Sequence, residues 1–185
     1  MVVIYETATT LNGFLATEDN SLDWLFAIPG EQPDIRPFME SATALVMGST
    51  TYEWLLDMED LRDHPEKWQD SVGAHPVFVF SSRDLPLPDG ADVRILAGDV
   101  GRHLPEIRAA AGDGDIWMMG GGGLAAQFLA AGALDRIALT MAPVTLSAGK
   151  PLFSGDARWD RLRLRSAERI GEWARLVYDV TPLTS

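Results

Sequence analysis

The sequence predicts an α/β domain, a three-layer sandwich with helices on both faces of a mostly parallel central sheet and an antiparallel C-terminal edge strand. Three observations predict it. Short β-like apolar runs alternate with helical patterns through the middle of the chain, and such alternation places crossover helices on both faces of parallel strands. The run at 44–48 is almost continuously apolar, as a strand buried on both faces requires. The last two apolar stretches are joined only by Gly171-Glu172, a connection short enough for an antiparallel hairpin.

Taken in order, strands are expected over 2–8, 44–48, 75–81, 93–97, 116–119, 136–142, 161–170 and 174–180. The third is built on Val77-Phe78-Val79-Phe80, and the fifth is Ile116-Trp117-Met118-Met119. Helices are expected over 35–42 and over 50–58, the latter capped by Ser49 or Thr50. In a third, over 99–111, Val100, Leu104, Ile107 and Ala111 recur at helical spacing behind Asp99 as N-cap. In the fourth, over 123–131, Leu124, Phe128 and Leu129 share a face and Gly132 marks the stop. Residues 57–73, with Pro65 and Trp68, read as a surface insertion.

Composition narrows the function. At 185 residues with 46% hydrophobic content, residues 1–185 are expected to form one domain with an ordinary apolar core. The absence of cysteine excludes disulfides, thiolate metal sites and thiol nucleophiles. His64, His75 and His103 lie far apart, so no metal is expected. No apolar run is long enough to cross a bilayer, and the N-terminus reads as a strand instead of a signal peptide, so the expected location is cytoplasmic. A net charge of −12 disfavours nucleic acid and anionic membrane as partners. An anionic ligand must then be held by local amides, hydroxyls and a few placed cations.

Such a place is marked by Gly120-Gly121-Gly122-Gly123, directly between a strand and a helix. Glycines let backbone approach a ligand closely, and a helix N-terminus offers unpaired N–H groups suited to a pyrophosphate. A second strand-to-helix junction, Met47-Gly48-Ser49-Thr50-Thr51-Tyr52, carries hydroxyls and amides that can hold phosphate oxygens or simply cap a helix. At the end of the third strand, Ser81-Ser82-Arg83 combines a cation and two hydroxyls, as a ribose 2′-phosphate site or a solvated turn would. All three lie just beyond C-terminal strand ends, where open α/β sheets bind ligands.

These residues, with Val46, Gln127-Phe128-Leu129 and Leu139-Thr140, resemble the dihydrofolate reductase superfamily. Thr10-Leu11-Asn12-Gly13-Phe14-Leu15-Ala16, Ser21-Leu22-Asp23-Trp24-Leu25, Pro143-Val144-Thr145-Leu146 and Gly149-Lys150-Pro151-Leu152-Phe153 are closer to one branch of it. That branch is similar to the reductase domain of the bifunctional riboflavin-biosynthesis deaminase–reductase, and the similarity runs over about 2–180. The resemblance implies a dihydrofolate-reductase-like fold of eight strands and NADPH as cofactor. Gly48, Ser49, Thr50 and Thr51 would meet phosphates, Ser81, Ser82 and Arg83 the 2′-phosphate, and Gly98 the adenine side. Gly120, Gly121, Gly122, Gly123 and Leu124 would hold pyrophosphate and nicotinamide ribose, with a cis peptide at Gly120-Gly121. Residues 13–24 would close over the nicotinamide, and Asn12, Trp24 and Thr140 would face a small heterocyclic substrate, a pyrimidine- or pteridine-like ring or an aldose-type amine. The implied reaction is hydride transfer similar to 5-amino-6-(5-phosphoribosylamino)uracil reduction, in a homodimer. No catalytic acid is assigned, Asp34 being the nearest candidate and also readable as a solvated helix-start acid.

Two departures stand out. Ser49 occupies the place where the family usually has Arg, and Asn12 the place where the branch usually has Asp. Both favour the alternative of a non-catalytic, dimeric nucleotide- or small-ligand-binding protein that keeps the reductase fold. Trp54, Trp117 and Phe128 read as packing, Trp159 and Trp173 as core or interface, and His75 and His103 receive no role.

Overall fold

The computed structural model describes residues 1–156 and 159–182. The chain forms β1 (Val3–Thr10), β2 (Phe14–Ala16), α1 (Asp23–Phe26), α2 (Arg36–Ser41), β3 (Ala42–Gly48), α3 (Ser49–Met58) and α4 (Trp68–Ser71). It continues through β4 (Val77–Phe80), β5 (Val93–Leu96), α5 (Val100–Ala111), β6 (Asp115–Gly120), α6 (Gly122–Ala130) and β7 (Arg136–Ala142). Last come β8 (Lys150–Pro151), β9 (Leu162–Ile170) and β10 (Trp173–Val180).

Eight strands form one sheet in the order β5-β4-β3-β6-β1-β7-β10-β9. β5, β4, β3, β6, β1 and β7 run parallel, while β10 pairs antiparallel with both β7 and β9. This is the predicted architecture: β10 runs against the other strands, and its hairpin partner β9 forms the C-terminal edge of the sheet.

Alternation along each buried strand splits the core between the two faces. On one face Val3, Tyr5, Val46, Ile116, Met118, Ile137 and Leu139 pack against Val100 and Ile107 of α5 and Leu124 and Phe128 of α6. On the other, Leu45, Met47, Val77, Val79 and Trp117 pack against Tyr52, Leu55 and Leu56 of α3. A smaller cluster on that second side joins Trp24, Ile28, Ala142 and Trp173. The space between these last two clusters is the cleft described below.

Two expectations need correction. Residues 57–73 are not a surface insertion, because Leu61, Trp68 and Val72 are buried in the α3-side core, Trp68 almost completely. Their apolar residues are too widely spaced to signal an element, yet they close the core beneath α3. Neither Ser49 nor Thr50 caps α3: its N-cap position is Gly48, and no side chain bonds the helix start. Asp99 holds the N-cap position of α5 as expected, without a side-chain cap bond. Gly132 does end α6, with φ +65 and a paired closure in which Ala133 N–H donates to Phe128 O and Gly132 N–H to Leu129 O.

A two-stranded ribbon absent from the prediction joins β2 to β8, pairing Phe14 with Pro151 and Ala16 with Lys150. Both strands are too short to show a period. The ribbon carries residues 13–16 over the C-terminal ends of the parallel strands and so forms one side of the cleft.

Candidate functional site

β1 leads outward to β3, β4 and β5, and the chain then returns to lay β6 between β3 and β1 before placing β7 beyond β1. Ligands bind open α/β sheets at this kind of reversal, outside the carboxyl ends of the strands. A cleft of about 640 Å³ opens there. Its walls come from β1, the β2–β8 ribbon, α1, the segment before α2, the start of α3, β6 with the start of α6, β7 and Trp173 of β10.

One end of the cleft is made of backbone. Gly120, Gly121, Gly122 and Gly123 all line it, together with Thr50 and Thr51. α3 begins after Gly48 and α6 after Gly121, and neither start has a side-chain cap. A Cβ built on Gly48 would lie 3.8 Å from Gly121 N, which brings the two helix starts side by side. Uncapped helix starts present unsatisfied N–H groups and a positive dipole end. The Gly120-Gly121 peptide is cis, as the resemblance implies.

The four glycines are there for different reasons. Gly120 has φ +154, and a side chain on it would press on Thr51 Oγ1 at 3.3 Å. Gly122 is fixed by packing, since a Cβ would sit 2.1 Å from Pro151 O and 2.8 Å from Leu152 O. A Cβ on Gly121 would meet nothing within 4 Å, and one on Gly123 only Ser154 Oγ at 3.9 Å. Protein packing therefore does not require glycine at 121 or 123; open cleft lies there instead.

Beyond this end, the remaining predicted cofactor residues follow the sheet edge without lining the cleft. Arg83 forks onto Glu53, with Nη2 2.8 Å from Oε2 and Nη1 3.2 Å from Oε1, and Nη2 also donates to Ser49 Oγ at 3.2 Å. The cation missing at position 49 is thus supplied from β4's end, next to Ser49, but a carboxylate already holds it. The Ser81 hydroxyl accepts from Arg83 N–H at 2.9 Å and shapes that turn, and Ser82 is exposed. Gly98, φ +94, lies just past the end of β5, and the Leu124 side chain is buried in the core beneath α6.

The other end of the cleft is made of side chains. Trp24, buried on α1, and the buried Thr140 on β7 both line it, as expected. Asn12 does not. Its amide donates to Leu146 O at 2.7 Å and its carbonyl accepts from Leu146 N–H at 3.2 Å and from Thr10 Oγ1 at 3.0 Å, so it clamps two loops together. Trp54, Trp117 and Trp173, taken from sequence as packing or interface, line the cleft as well as the core. Phe128 is core, as predicted. The side chain of Trp159 lies outside the described residues.

Sequence reasoning missed the most distinctive group. Glu6, on the central strand β1 and 3% exposed, lines the cleft floor. Arg175 of β10 reaches across β7 and forks onto it, Nη1 to Oε1 at 2.7 Å and Nη2 to Oε2 at 2.9 Å. Arg175 Nη1 also donates to Thr140 Oγ1 at 3.4 Å, and the Trp117 indole N–H donates to the Glu6 carbonyl at 3.1 Å. Burial pushes the Glu6 carboxyl above its usual range, and Arg175 offsets part of that. A buried ion pair is weak evidence for stability, and a perturbed acid in a cleft marks a functional candidate. One signal was available: an acid midway through a run that is otherwise buried strand. Asp34, by contrast, is exposed, and Arg36 holds its carboxyl down at about 2. It is the solvated acid, not the cleft acid.

Among the described residues no group of His, Asp and Glu is arranged to hold a metal, and no helix is long and apolar enough to cross a membrane.

This fold and cleft define a dihydrofolate-reductase-like α/β domain. The chain belongs to the RibD C-terminal domain family, whose model matches residues 1–175. It is 28% identical to the uncharacterized protein YwjB of Bacillus subtilis (strain 168) over 172 residues, 92% of this chain and 93% of that one. A Shewanella sp. PV-4 protein assigned provisionally to riboflavin biosynthesis superposes with TM-score 0.77 at 25% identity, over 98% of this chain and 99% of its own. Dihydrofolate reductase from Enterococcus faecalis, solved with NADP(H), shares the fold at TM-score 0.62 and 17% identity, over 97% and 96% of the two chains.

Proposed function

We propose that the chain is an NADPH-dependent reductase that passes a hydride to a small heterocyclic ring. The observation that carries this is the pair of uncapped helix starts meeting at the glycine run, with open space where Gly121 and Gly123 lack side chains. That cradle fits a diphosphate, because backbone amides can approach it without a Cβ in the way. Thr50 and Thr51 add hydroxyls along the same wall. Arg83 suits the 2′-phosphate by exchanging its exposed partner Glu53 for it, which costs little because exposed ion pairs are weak.

When bound, the nicotinamide supplies the hydride. The chain's own residues do the rest by position and exclusion. Trp24 and the β2–β8 ribbon wall the cleft against water, and the tryptophans hold a flat ring in place. Arg175 occupies an acceptor position on Thr140 Oγ1, which leaves the Thr140 proton free to be donated toward the cleft.

The alternative, a binding protein without turnover, is favoured by Arg83 being already held by Glu53. Two measurements decide between them. NADPH titration followed by fluorescence is expected to saturate, and a flat titration at millimolar cofactor would remove the reductase reading and leave only the binding of some other small ligand. NADPH consumption is then screened across pterins, pyrimidines, quinones and aldehydes; turnover of any of them supports the reductase, and binding with no turnover supports the alternative.

A further inference from the structure

The substrate end of the cleft is chemically unlike a phosphate site. Four indoles, those of Trp24, Trp54, Trp117 and Trp173, line the cleft, and the carboxylate at its floor is Glu6. Among the described residues the cationic side chain lining the cleft is Lys150, which is exposed on the β2–β8 ribbon. Arg175 stands behind Glu6 and directs both terminal guanidinium nitrogens at its two oxygens, with Nη1 also reaching Thr140 Oγ1. A phosphate delivered to this floor would meet a buried negative charge whose partner cation is already taken. Each Glu6 oxygen, however, keeps a second lone pair, because Arg175 uses one on each.

The walls suit a flat body, because four tryptophans line them.

Resting on the reductase reading above, we propose that the substrate is a flat aromatic ring bearing a cationic or N–H-rich edge and no phosphate tail. Glu6 is the acceptor that reads this edge, and Arg175 is the residue that positions Glu6. The substrate class therefore differs from the phosphoribosyl pyrimidine that the riboflavin-type reductase resemblance implies. A phosphoribosyl tail asks for several cations, and this floor offers a carboxylate backed by a committed guanidinium.

Three ring probes of similar shape and different head-group charge test this: benzamidine, benzoate and phenyl phosphate, titrated calorimetrically into the protein with and without saturating NADPH. Benzamidine is expected to bind at least tenfold more tightly than benzoate, and phenyl phosphate to show no saturable binding at this end of the cleft. Glu6→Gln should abolish the preference. The double variant Glu6→Gln with Arg175→Met removes both charges together and should abolish it in a protein that still folds. Equal binding of benzoate or phenyl phosphate, silence from all three probes, or a benzamidine preference that survives both variants would overturn the proposal. A protein that binds NADPH but fails to sort the probes keeps the reductase reading and loses this substrate class. One that sorts the probes but ignores NADPH does the reverse.

Discussion

The two ends of the cleft are built from different materials. The glycine end is backbone: β6, the four-residue glycine run and the uncapped start of α6 follow one another directly in sequence, and the uncapped start of α3 lies beside them. The substrate end is side chain, with Glu6 on β1, Thr140 on β7 and Arg175 on β10 joined across sequence separations of up to 169 residues. Backbone sites tolerate divergence in everything except the residues that shape the chain, so they suit a cofactor shared by a whole family. Side-chain sites can be rewritten by single substitutions, so on the proposed reading they would set the substrate.

The comparison can be broken at either end. The largest expected effect lies at the substrate end. Arg175→Met leaves Glu6 buried without its cation and is expected to lower stability by about 3–5 kcal/mol at neutral pH, the range for breaking a buried pair. Chemical denaturation measures it. The wild type should also show a pH signature. Burial raises the folded Glu6 pKa above its ordinary value while Arg175 faces it, so the folded state keeps a proton that the unfolded state has released. That contribution to stability is complete below the ordinary glutamate pKa and declines as pH rises through the folded value. Arg175→Met should steepen the decline, because it removes the one charge that lowers the Glu6 pKa. A flat stability profile across this window in both proteins would show that Glu6 is not the desolvated group described above.

Next in size is Gly122→Ala. Its Cβ meets backbone carbonyls of Pro151 and Leu152, which cannot rotate away, so a loss of about 3 kcal/mol, the upper part of the overpacking range, is expected in thermal or chemical unfolding. The smallest effect concerns Arg83. Glu53→Gln frees the guanidinium from an exposed carboxylate and should raise the preference for NADPH over NADH by a few fold, in keeping with about 1 kcal/mol or less for an exposed pair. An unchanged cofactor ratio, measured by paired titrations, would separate Arg83 from the 2′-phosphate.

The difference between the ends also explains what the sequence could tell. The alternation of strands and helices, the stop at Gly132 and the 120–123 run are local signals, and each is found where it was expected. The strand–glycine–helix part of the glycine end could therefore be read from residues close together in the chain. The β2–β8 ribbon could not, because strands of three and two residues carry no periodicity. Trp68 was misplaced because its burial depends on α3 lying above it, which no local pattern records. Asn12 was read as a substrate contact because it sits inside a recognisable motif, yet its hydrogen bonds go to Thr10 and Leu146. Glu6 and Arg175 escaped for the opposite reason. Glu6 stands out in its strand only as a lone acid and Arg175 not at all, and the sheet order, with β7 between β1 and β10, is what brings them together.

The central claim is that open backbone at the glycine run exists to receive a diphosphate. Gly121→Ala tests it most directly, because the added methyl meets no protein atom and its backbone φ of −93 suits alanine. NADPH affinity measured by fluorescence titration should fall at least tenfold, about 1.4 kcal/mol, while the unfolding midpoint stays within error of the wild type. A Gly121→Ala protein that binds NADPH as tightly as the wild type would contradict the claim.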